Sequence, residues 1–265
     1  MVLNLSLATI FTAVSTLLFL KLERVRPGRE LPHSKGWYGR ALVLNLIQMG
    51  LTLGTRKVWL GLVGDASVFH VRAIGIPYIE GFIAWFVSTF FYYWWHRLRH
   101  VDGFWHVFHQ IHHSPSRIEV ATSFYKHPIE MAADIVLSAC LAYGLLGISL
   151  EGAFWFNFFA ATGEYFYHAN FKSPPWLRYI IQTPELHSIH HQLDVHHFNY
   201  SDLPLWDRIF GTYKDATEFA PQCGFPGRNE ERLGSMLMFR DVYKLDEPTS
   251  ISGVAQSIPQ PSDEE

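Results

Sequence analysis

The sequence predicts an all-α polytopic membrane protein, with about four or five transmembrane or re-entrant helices and a cytoplasmic helical cap that holds a polyhistidine dimetal site. Three observations support this prediction. Apolar residues make up 49% of the 265 residues and charged residues only 17%, whereas soluble domains carry roughly 25% charged residues. Most charges fall between long uncharged stretches. Thirteen of the 15 histidines lie between His96 and His197.

Composition also excludes several classes of function. The net charge of -3 and the isoelectric point of about 6.6 provide no basic excess to neutralise phosphates, so we expect no binding of nucleic acid. The two cysteines, Cys140 and Cys223, are too few and too far apart for a disulfide framework or a thiolate metal site.

Three apolar segments occupy the first part of the chain. Residues 2–20 carry no charge and, as a helix, span roughly 28 Å, close to the hydrocarbon thickness of a bilayer. No positive charge precedes them, so we expect a retained helix rather than a cleaved signal peptide. A second segment, about residues 41–63, is interrupted by Arg56 and Lys57, which we place near an interface. The third, about residues 73–95, ends in aromatic residues typical of the membrane–water boundary.

A fourth apolar stretch, residues 135–163, contains a single charge, Glu151. One over-long helix and a tight hairpin of two short helices both fit this pattern. His127 precedes the stretch and His168 follows it. A shared site requires both on one face of the membrane, which favours the hairpin.

Positive charges orient these segments in the membrane. The first loop carries six lysines and arginines, whereas residues 64–72 contain only Arg72. Because cytoplasmic loops carry the excess of lysine and arginine, we place the first loop, residues 96–127 and everything after residue 168 on the cytoplasmic side. Residues 245–265 are rich in Ser, Pro, Gln, Asp and Glu and are predicted to be a disordered acidic tail.

Three short motifs place histidines on one face of a helix. In WWHRLRH, His96 and His100 stand four residues apart, a spacing that lets two imidazoles share a metal ion. The motifs HQIHH and HSIHH repeat this arrangement with spacings of three and four. Their histidines are His109, His112 and His113 in the first motif and His187, His190 and His191 in the second.

Metal binding explains these motifs better than a set of interfacial polar aromatics, because closely packed histidines would repel one another when charged. Imidazole ligands suit Zn, Fe, Cu or Ni and exclude Mg and Ca, which prefer oxygen. The motifs contain more histidines than one tetrahedral ion can use, so we expect two ions. Ligand type alone does not separate zinc from iron.

The ordered set of motifs in residues 92–213 resembles the fatty acid hydroxylase and sterol desaturase superfamily. The set consists of HRLRH, HQIHH followed by Ser114, SFYKHPIE, YHAN, TPELHSIHH and NYSDLPLWDRIFGTY. Members of that superfamily are membrane-bound di-iron oxygenases, so the resemblance implies two iron ions, dioxygen and a lipid substrate. It also implies that the metal ligands are His96, His100, His109, His112, His113, His127, His168, His187, His190 and His191.

The resemblance further implies hydroxylation or desaturation of a C–H bond, with no catalytic residues beyond the metal ligands. The chain has no glycine-rich dinucleotide loop, and its HPIE segment lacks the glycines of a haem-binding HPGG motif. We therefore expect a separate electron donor, either a cytochrome b5-like or ferredoxin-like carrier or a reductase. The membrane lipid substrate and the bilayer itself are the other expected partners.

Two other classes of function compete with this interpretation. A polyhistidine metal transporter would hold its ligands at mid-membrane, whereas every motif histidine here flanks an apolar segment. A zinc-dependent membrane hydrolase is disfavoured by the absence of HExxH and by an excess of ligands that leaves little open coordination.

Acidic residues near the motifs are candidates for orienting the histidines, since metal-bound imidazoles usually donate their second N–H to a carboxylate or carbonyl. By position these are Glu130, Glu164, Glu185 and Asp207. The family pattern does not require His106, His196 or His197, and we expect the last two to be exposed to solvent. Trp206, Phe210 and Gly211 are expected to fix the fold of the cap.

With this resemblance the chain divides into four parts. These are N-terminal transmembrane helices (residues 1–72), a fatty acid hydroxylase-like catalytic domain (73–215), a C-terminal cytoplasmic extension (216–244) and the acidic tail (245–265). We expect a multi-pass integral membrane protein with its metal site facing the cytoplasm. The membrane would be the endoplasmic reticulum in a eukaryote and the inner membrane in a bacterium.

Overall fold

The computed structural model describes residues 6–63 and 66–243, and within these ranges it is helical and contains no β-strand. An isolated antiparallel bridge joins Gln192 and Cys223. The ten α-helices of the described residues are α1 (Leu7–Val25), α2 (Trp37–Val63), α3 (Pro77–Arg99), α4 (Asp102–Phe104), α5 (Gln110–His113), α6 (Pro128–Ala139), α7 (Leu150–His168), α8 (Pro184–His190), α9 (Pro204–Ile209) and α10 (Leu233–Leu237).

Shorter helical turns connect these helices. Two are π-helical, Trp105–His109 before α5 and Cys140–Leu145 as the continuation of α6. The 3-10 helices are Val71–Ile74, Val120–Thr122, Pro175–Tyr179 and Asn229–Glu231. The prediction of an all-α fold is therefore confirmed for the described residues.

Helices α1, α3 and α7 run side by side in the same direction. Phe11 contacts Trp155 and Phe19 contacts Phe166, so α1 and α7 keep a parallel register. Helix α3 lies against α7 through Gly81, where an added Cβ would come within 2.4 Å of the Trp155 Cβ. All three helices therefore end at one end of the molecule, where α3 contributes His96 and α7 contributes His168.

The apolar stretch of residues 135–163 forms the predicted hairpin. The chain runs through α6 and its π-helical continuation to Leu145, turns, and returns as α7. Gly147 occupies the left-handed region at φ +64, and Ser149 caps α7 by accepting from the Gly152 N–H at 3.0 Å. Gly and Ser at these positions end one helix and begin the next, because glycine alone adopts positive φ without strain and serine satisfies a free N–H.

Hydropathy predicted the helices but not their ends. Helix α2 begins at Trp37, before the predicted residue 41, and α3 begins at Pro77 and ends at Arg99 rather than spanning 73–95. Proline is favoured in the first helical turn because its missing N–H is unpaired there anyway. The side chains of Arg56 and Lys57 and the predicted tail lie outside the described part of the chain.

Among the described residues, Pro128–Leu145 is the one helix that has the length and composition to cross a membrane. The expected count of four or five spans therefore stays a prediction. A buried cluster joins α2 and α6 to the C-terminal segment, with Trp37, Leu44, Tyr125, Met131, Phe225, Met236 and Val242 among its members. Gln110 ties this segment to the histidine motifs, since its side chain donates to the Arg240 carbonyl at 3.0 Å.

Candidate metal centre

Nine buried or half-buried histidines form two groups whose ring nitrogens converge. The group of five contains His96, His100, His109, His113 and His190, and the group of four contains His112, His168, His187 and His191. Within each group the candidate ligand atoms all lie within 4.8 Å of one another. This spacing is compatible with imidazoles that share one ion, so the arrangement provides two candidate metal sites.

Several nitrogens face each other at close range. In the group of five, the Nε2 atoms of His96 and His109 are 2.8 Å apart. In the group of four, His168 Nε2 lies 3.2 Å from that of His112 and 3.0 Å from that of His187. Neutral imidazoles carry only one N–H each, so nitrogens packed in this way have lone pairs available to a common cation.

The two groups adjoin each other. The rings of His113 and His191 stack at 4.3 Å between centroids, although each belongs to a different group. The histidines of the HQIHH motif are divided between the two groups. His109 and His113 belong to the group of five, whereas His112 belongs to the group of four. Successive side chains on a helix point about 100° apart, so one motif supplies both sites.

Local structure positions these motifs. The π-helical turn Trp105–His109 leads into α5 and shifts His109 relative to a regular helix, and such turns occur frequently at functional sites. Helix α8, which carries HSIHH, begins at Pro184 after Thr183, whose side chain accepts from the Leu186 N–H at 3.4 Å. The Thr-Pro pair thus starts the helix three residues before its first histidine.

Backbone carbonyls fix three of the rings. The Nδ1 atoms of His96, His168 and His190 lie 2.6, 2.8 and 2.7 Å from the carbonyl oxygens of Tyr200, Glu164 and Phe198 respectively. A carbonyl can only accept, so each Nδ1 must carry the proton. The Nε2 atom of each ring is then unprotonated and free to bind a metal.

Buried polar atoms without partners show that the residues fit a metal. Both ring nitrogens of His113, Nε2 of His190 and Nδ1 of His112 and His191 are buried and make no hydrogen bond within the described residues. Leaving such atoms unpaired is costly. An ion bound in the group of five would use Nε2 of His190 and one nitrogen of His113. In the group of four the converging Nε2 atoms would hold the ion, and all-imidazole donors suit iron or zinc.

Burial also keeps these imidazoles in the state that binds metal. Desolvation lowers the pKa of His190 to about 3, and burial with the neighbouring His191 holds the pKa of His112 and His113 well below the ordinary value. Metal ligation requires neutral histidine. The protein thus provides neutral rings at any pH near neutrality.

His127 does not join either group. It caps α6, where its Nδ1 accepts from the Ile129 N–H at 3.0 Å, and its ring stacks on Phe239 at 4.9 Å. The Nε2 atom faces the Leu237 carbonyl at 3.4 Å. Histidine before a proline at a helix start can serve as the cap, and the KHPIE motif by itself does not distinguish this role from ligation.

The remaining histidines of the region differ in burial. His106 is half-buried and His197 is exposed. His196, expected to be exposed, instead packs its ring against Trp105 and His113 at 5.2 and 5.1 Å. Sequence position gave no indication of this contact, because the loop that carries His196 folds back over the group of five.

The four acidic candidates contribute in different ways. Glu130 faces His109 Nδ1 at 2.8 Å and also accepts from Arg99. Glu164 orients His168 mainly through its backbone carbonyl. Asp207 accepts from the N–H groups of Tyr200 and Ser201 and so holds the loop whose carbonyl binds His96. Glu185 contacts no histidine and accepts from Ser173 instead.

A buried ionic network beside the histidines was missed at the level of sequence. Lys126 lies 3.4 Å from both Asp134 and Glu164, and Arg99 pairs with Glu130. These charged residues lie within or beside apolar segments and motifs of the sequence. A charge in such a place is the signal from which the network could have been predicted. A cavity of about 30 Å³ is lined by residues of both the network and the histidine groups, namely Tyr92, His96, Arg99, His109, His112, Lys126, Glu164, Tyr167, His168, His187, Tyr200, Ser201 and Asp202.

A helical protein with two adjoining polyhistidine sites at the ends of its long helices is a candidate dimetal protein. Comparison with known families agrees with this class. Residues 81–212 match the model of the fatty acid hydroxylase family, and the chain belongs to that family. No solved structure matches the chain.

Characterised relatives share part of the chain. A very-long-chain aldehyde decarbonylase of Oryza sativa is 30% identical over 53% of this chain and 24% of its own length. Sphinganine C4-monooxygenase 2 of Arabidopsis thaliana is 30% identical over 56% of this chain and 60% of its own length. An alkylglycerol monooxygenase of Xenopus tropicalis is 26% identical over 69% of this chain and 44% of its own length. The chain thus spans about a quarter to three fifths of these relatives.

Proposed function

We propose that this protein is a membrane-bound oxygenase that hydroxylates or desaturates a C–H bond of a lipid with dioxygen and electrons supplied by a partner. The observation that carries the proposal is the pair of adjoining groups of five and four buried imidazoles. Membership of the fatty acid hydroxylase family and the names of the relatives, which include two monooxygenases, support the substrate class.

Two iron ions, one in each histidine group, would supply the redox chemistry that activates dioxygen for attack on a C–H bond. The described residues fit this role through neutral rings whose free nitrogens converge. We assign the ligand role to the nine grouped histidines and not to His127. The family supports iron over zinc, since the donor atoms alone suit both metals.

The protein's own contribution is positioning and exclusion of water. Backbone carbonyls and Glu130 fix the rings, and the adjoining cavity of about 30 Å³ has room for about one water-sized molecule. A site of this size excludes bulk solvent from the reacting atoms, which suppresses side reactions of reactive oxygen species. Lys126 and Glu164 give part of the cavity wall a polar character.

The proposed topology places the ends of α3 and α7 at the cytoplasmic face. Helices α1, α2, α3, α6 with its π-helical continuation, and α7 would be the membrane segments. Electrons would come from a cytochrome b5-like or ferredoxin-like carrier or a reductase that docks on the cytoplasmic side. The membrane would be the endoplasmic reticulum or a bacterial inner membrane, according to the source.

Lipid mass spectrometry tests the proposed chemistry directly. Cells expressing the protein are compared with cells expressing a His109→Ala, His112→Ala, His113→Ala variant, and with His197→Ala as the control for an exposed histidine. We expect a lipid that gains one oxygen or loses two hydrogens with the wild type and the control only. A lipid shortened by its carbonyl carbon would instead indicate the reaction named for the rice relatives.

If no lipid differs while cellular metal content or metal tolerance does, the oxygenase proposal is wrong and a transporter is favoured. The membrane part is tested separately by carbonate extraction, which releases peripheral proteins and leaves spanning proteins in the pellet.

A further inference from the structure

A group of large apolar side chains lies exposed on two short helical segments that contact each other. Trp176, Tyr179 and Ile180 belong to or follow the 3-10 helix Pro175–Tyr179, and Leu205 and Ile209 belong to α9. Between 43% and 60% of each side chain is exposed. We call these five residues the apolar patch. Exposed apolar clusters of this kind mark interaction sites.

The patch is attached to α3 well before the histidines. Trp206 of α9 packs on Phe90 and Phe86 with ring centroids 5.1 and 6.3 Å apart, and its Nε1 donates to the Thr89 hydroxyl at 2.8 Å. Phe86 and Phe90 precede His96 by ten and six residues, which correspond to roughly 15 and 9 Å along the helix. Helix α9 therefore packs on the apolar part of α3 through Trp206, while its Asp207 holds the loop whose carbonyl binds His96.

The outward surface of α3 continues the patch. Tyr78, Phe82 and Phe86 recur every four residues and are 54%, 47% and 41% exposed, so they form one stripe along the helix. Trp206 lies in α9 between the patch residues Leu205 and Ile209 and contacts Phe86 at the end of this stripe, so the patch adjoins the stripe. The surroundings of the stripe, whether lipid or water, must therefore also surround the patch.

Two arginines border this surface. Arg208 lies over the rings of Tyr213 and Tyr179 at 4.3 and 5.2 Å, and Arg97 lies over Trp94 at 5.1 Å. Neither forms an ion pair within the described part of the chain. Guanidinium groups bind phosphate well, and the mixture of Trp, Tyr and Arg is typical of the membrane–water interface.

We propose that the apolar patch inserts into the bilayer interface and that Arg208 and Arg97 bind lipid headgroup phosphates. Helix α9 is then a membrane-inserted element that sets the distance between the bilayer and the histidine groups, in addition to its contact with the cap. The proposal rests on the membrane location within the proposed function, and it is independent of the oxygenase chemistry.

An environment-sensitive fluorophore tests the insertion. A single reactive cysteine is introduced as Ile209→Cys in a Cys140→Ser background, where Cys223 is buried and unreactive. Glu218→Cys is the matched control, since the Glu218 side chain is 73% exposed and paired with Lys172. The full-length protein is reconstituted into phosphatidylcholine vesicles and into an equal mixture of phosphatidylcholine and phosphatidylglycerol.

We expect a blue-shifted emission and several-fold stronger quenching by headgroup-proximal spin-labelled lipid at position 209 than at position 218. Arg208→Gln should reduce quenching at position 209, most clearly in vesicles containing phosphatidylglycerol. Equal, water-like emission at both positions in vesicles overturns the proposal. So does shielding at position 209 that depends on protein concentration and resists spin-labelled lipid, because a second copy or a partner protein then covers the patch.

These outcomes are separate from failure of the proposed function. Carbonate extraction reports whether the chain spans the membrane at all, and lipid mass spectrometry reports the chemistry. A spanning, active protein with a solvent-exposed position 209 contradicts only the present inference.

Discussion

At the scale of single residues, the candidate centre depends on which nitrogen of each imidazole is free. His96, His168 and His190 each donate Nδ1–H to a backbone carbonyl, so the geometry of the main chain selects the nitrogen that faces the ion. His109 uses a carboxylate for the same purpose. Glu130 is therefore the side chain whose removal most directly tests this arrangement.

Glu130→Gln should lower metal affinity by about 10- to 100-fold, because it replaces the carboxyl partner of His109 Nδ1 with an amide. The change also leaves Arg99 without its closest carboxylate. Competition with a chelator measures the affinity, and thermal unfolding measures the accompanying loss of stability. Glu185→Gln is the control, since Glu185 is equally buried but contacts Ser173 rather than a histidine. Equal effects of the two substitutions would contradict an orienting role for Glu130.

Acidification should destabilise the metal-free protein. Burial depresses the pKa of His190 to about 3 and that of His113 well below its ordinary value, so below pH 6.5 the unfolded chain binds protons that the folded chain does not. The free energy of unfolding therefore has its full value above about pH 6.5. It falls as the pH drops below this value, by up to about 1.4 kcal/mol per pH unit for each such histidine.

Thermal unfolding of the chelator-treated protein in detergent between neutral pH and pH 4 measures this dependence. His190→Gln should flatten the profile, because glutamine does not titrate. A profile that is flat for the wild type would show that the rings are not buried in the neutral form.

At the scale of helices, the close approach of α3 to α7 places His96 and His168 at the same end of the molecule. Gly81 permits this approach, because an added Cβ would lie 2.4 Å from the Trp155 Cβ and 2.6 Å from the Phe156 nitrogen. Backbone atoms cannot move aside easily. The separation of the two helices is therefore sensitive to a single methyl group.

Gly81→Ala should lower both stability and metal content, since overpacking costs roughly 1–3 kcal/mol and would move the helix ends that carry His96 and His168. Thermal unfolding and metal analysis of the purified protein measure the two effects. Gly50→Ala in α2 is the control, since nothing lies within 4 Å of its added Cβ, and alanine there should be neutral or slightly stabilising. Parallel behaviour of the two variants would contradict tight packing at Gly81.

At the scale of the whole molecule, ligands come from distant parts of the chain, since His96 of α3 and His190 of α8 share one group only in the folded chain. Metal binding and folding are therefore expected to be coupled. The metal would stabilise the junction between the long helices and the cap, whose other contacts include Gln110 with Arg240.

Removal of metal should lower the unfolding temperature, and the choice of metal should separate stability from activity. Reloading with iron is expected to restore both the unfolding temperature and lipid oxidation. Zinc is expected to restore the unfolding temperature only, because it fits imidazole donors but has no redox chemistry. Lipid turnover by the zinc form would instead favour a hydrolase.

Hydropathy and spacing were sufficient for the all-α class and the three histidine motifs, because helical period and metal–ligand chemistry are local properties. Over residues 135–163 hydropathy fitted both one long helix and a hairpin. The hairpin was predicted only from the expectation that His127 and His168 share a site, and His127 does not join the groups. Helix ends were less well predicted, since the cap Ser149 and the first-turn proline Pro77 set where a helix begins independently of hydropathy. The topology in the membrane is a proposal, because the placement of helices depends on the lipid surroundings as well as on the sequence.

The sequence by itself predicted that many histidines of this chain bind metal together, but only the tertiary structure decided how they divide between the two groups. His112 and His113 are neighbours in the chain and belong to different groups, whereas His113 and His190 are far apart in the chain and share one. The structure likewise assigned His127 to a helix cap and folded His196 onto His113. The physical reason is that ligation depends on where ring nitrogens converge in space, which follows from the packing of α3, α5, α7 and α8 and not from the order of residues.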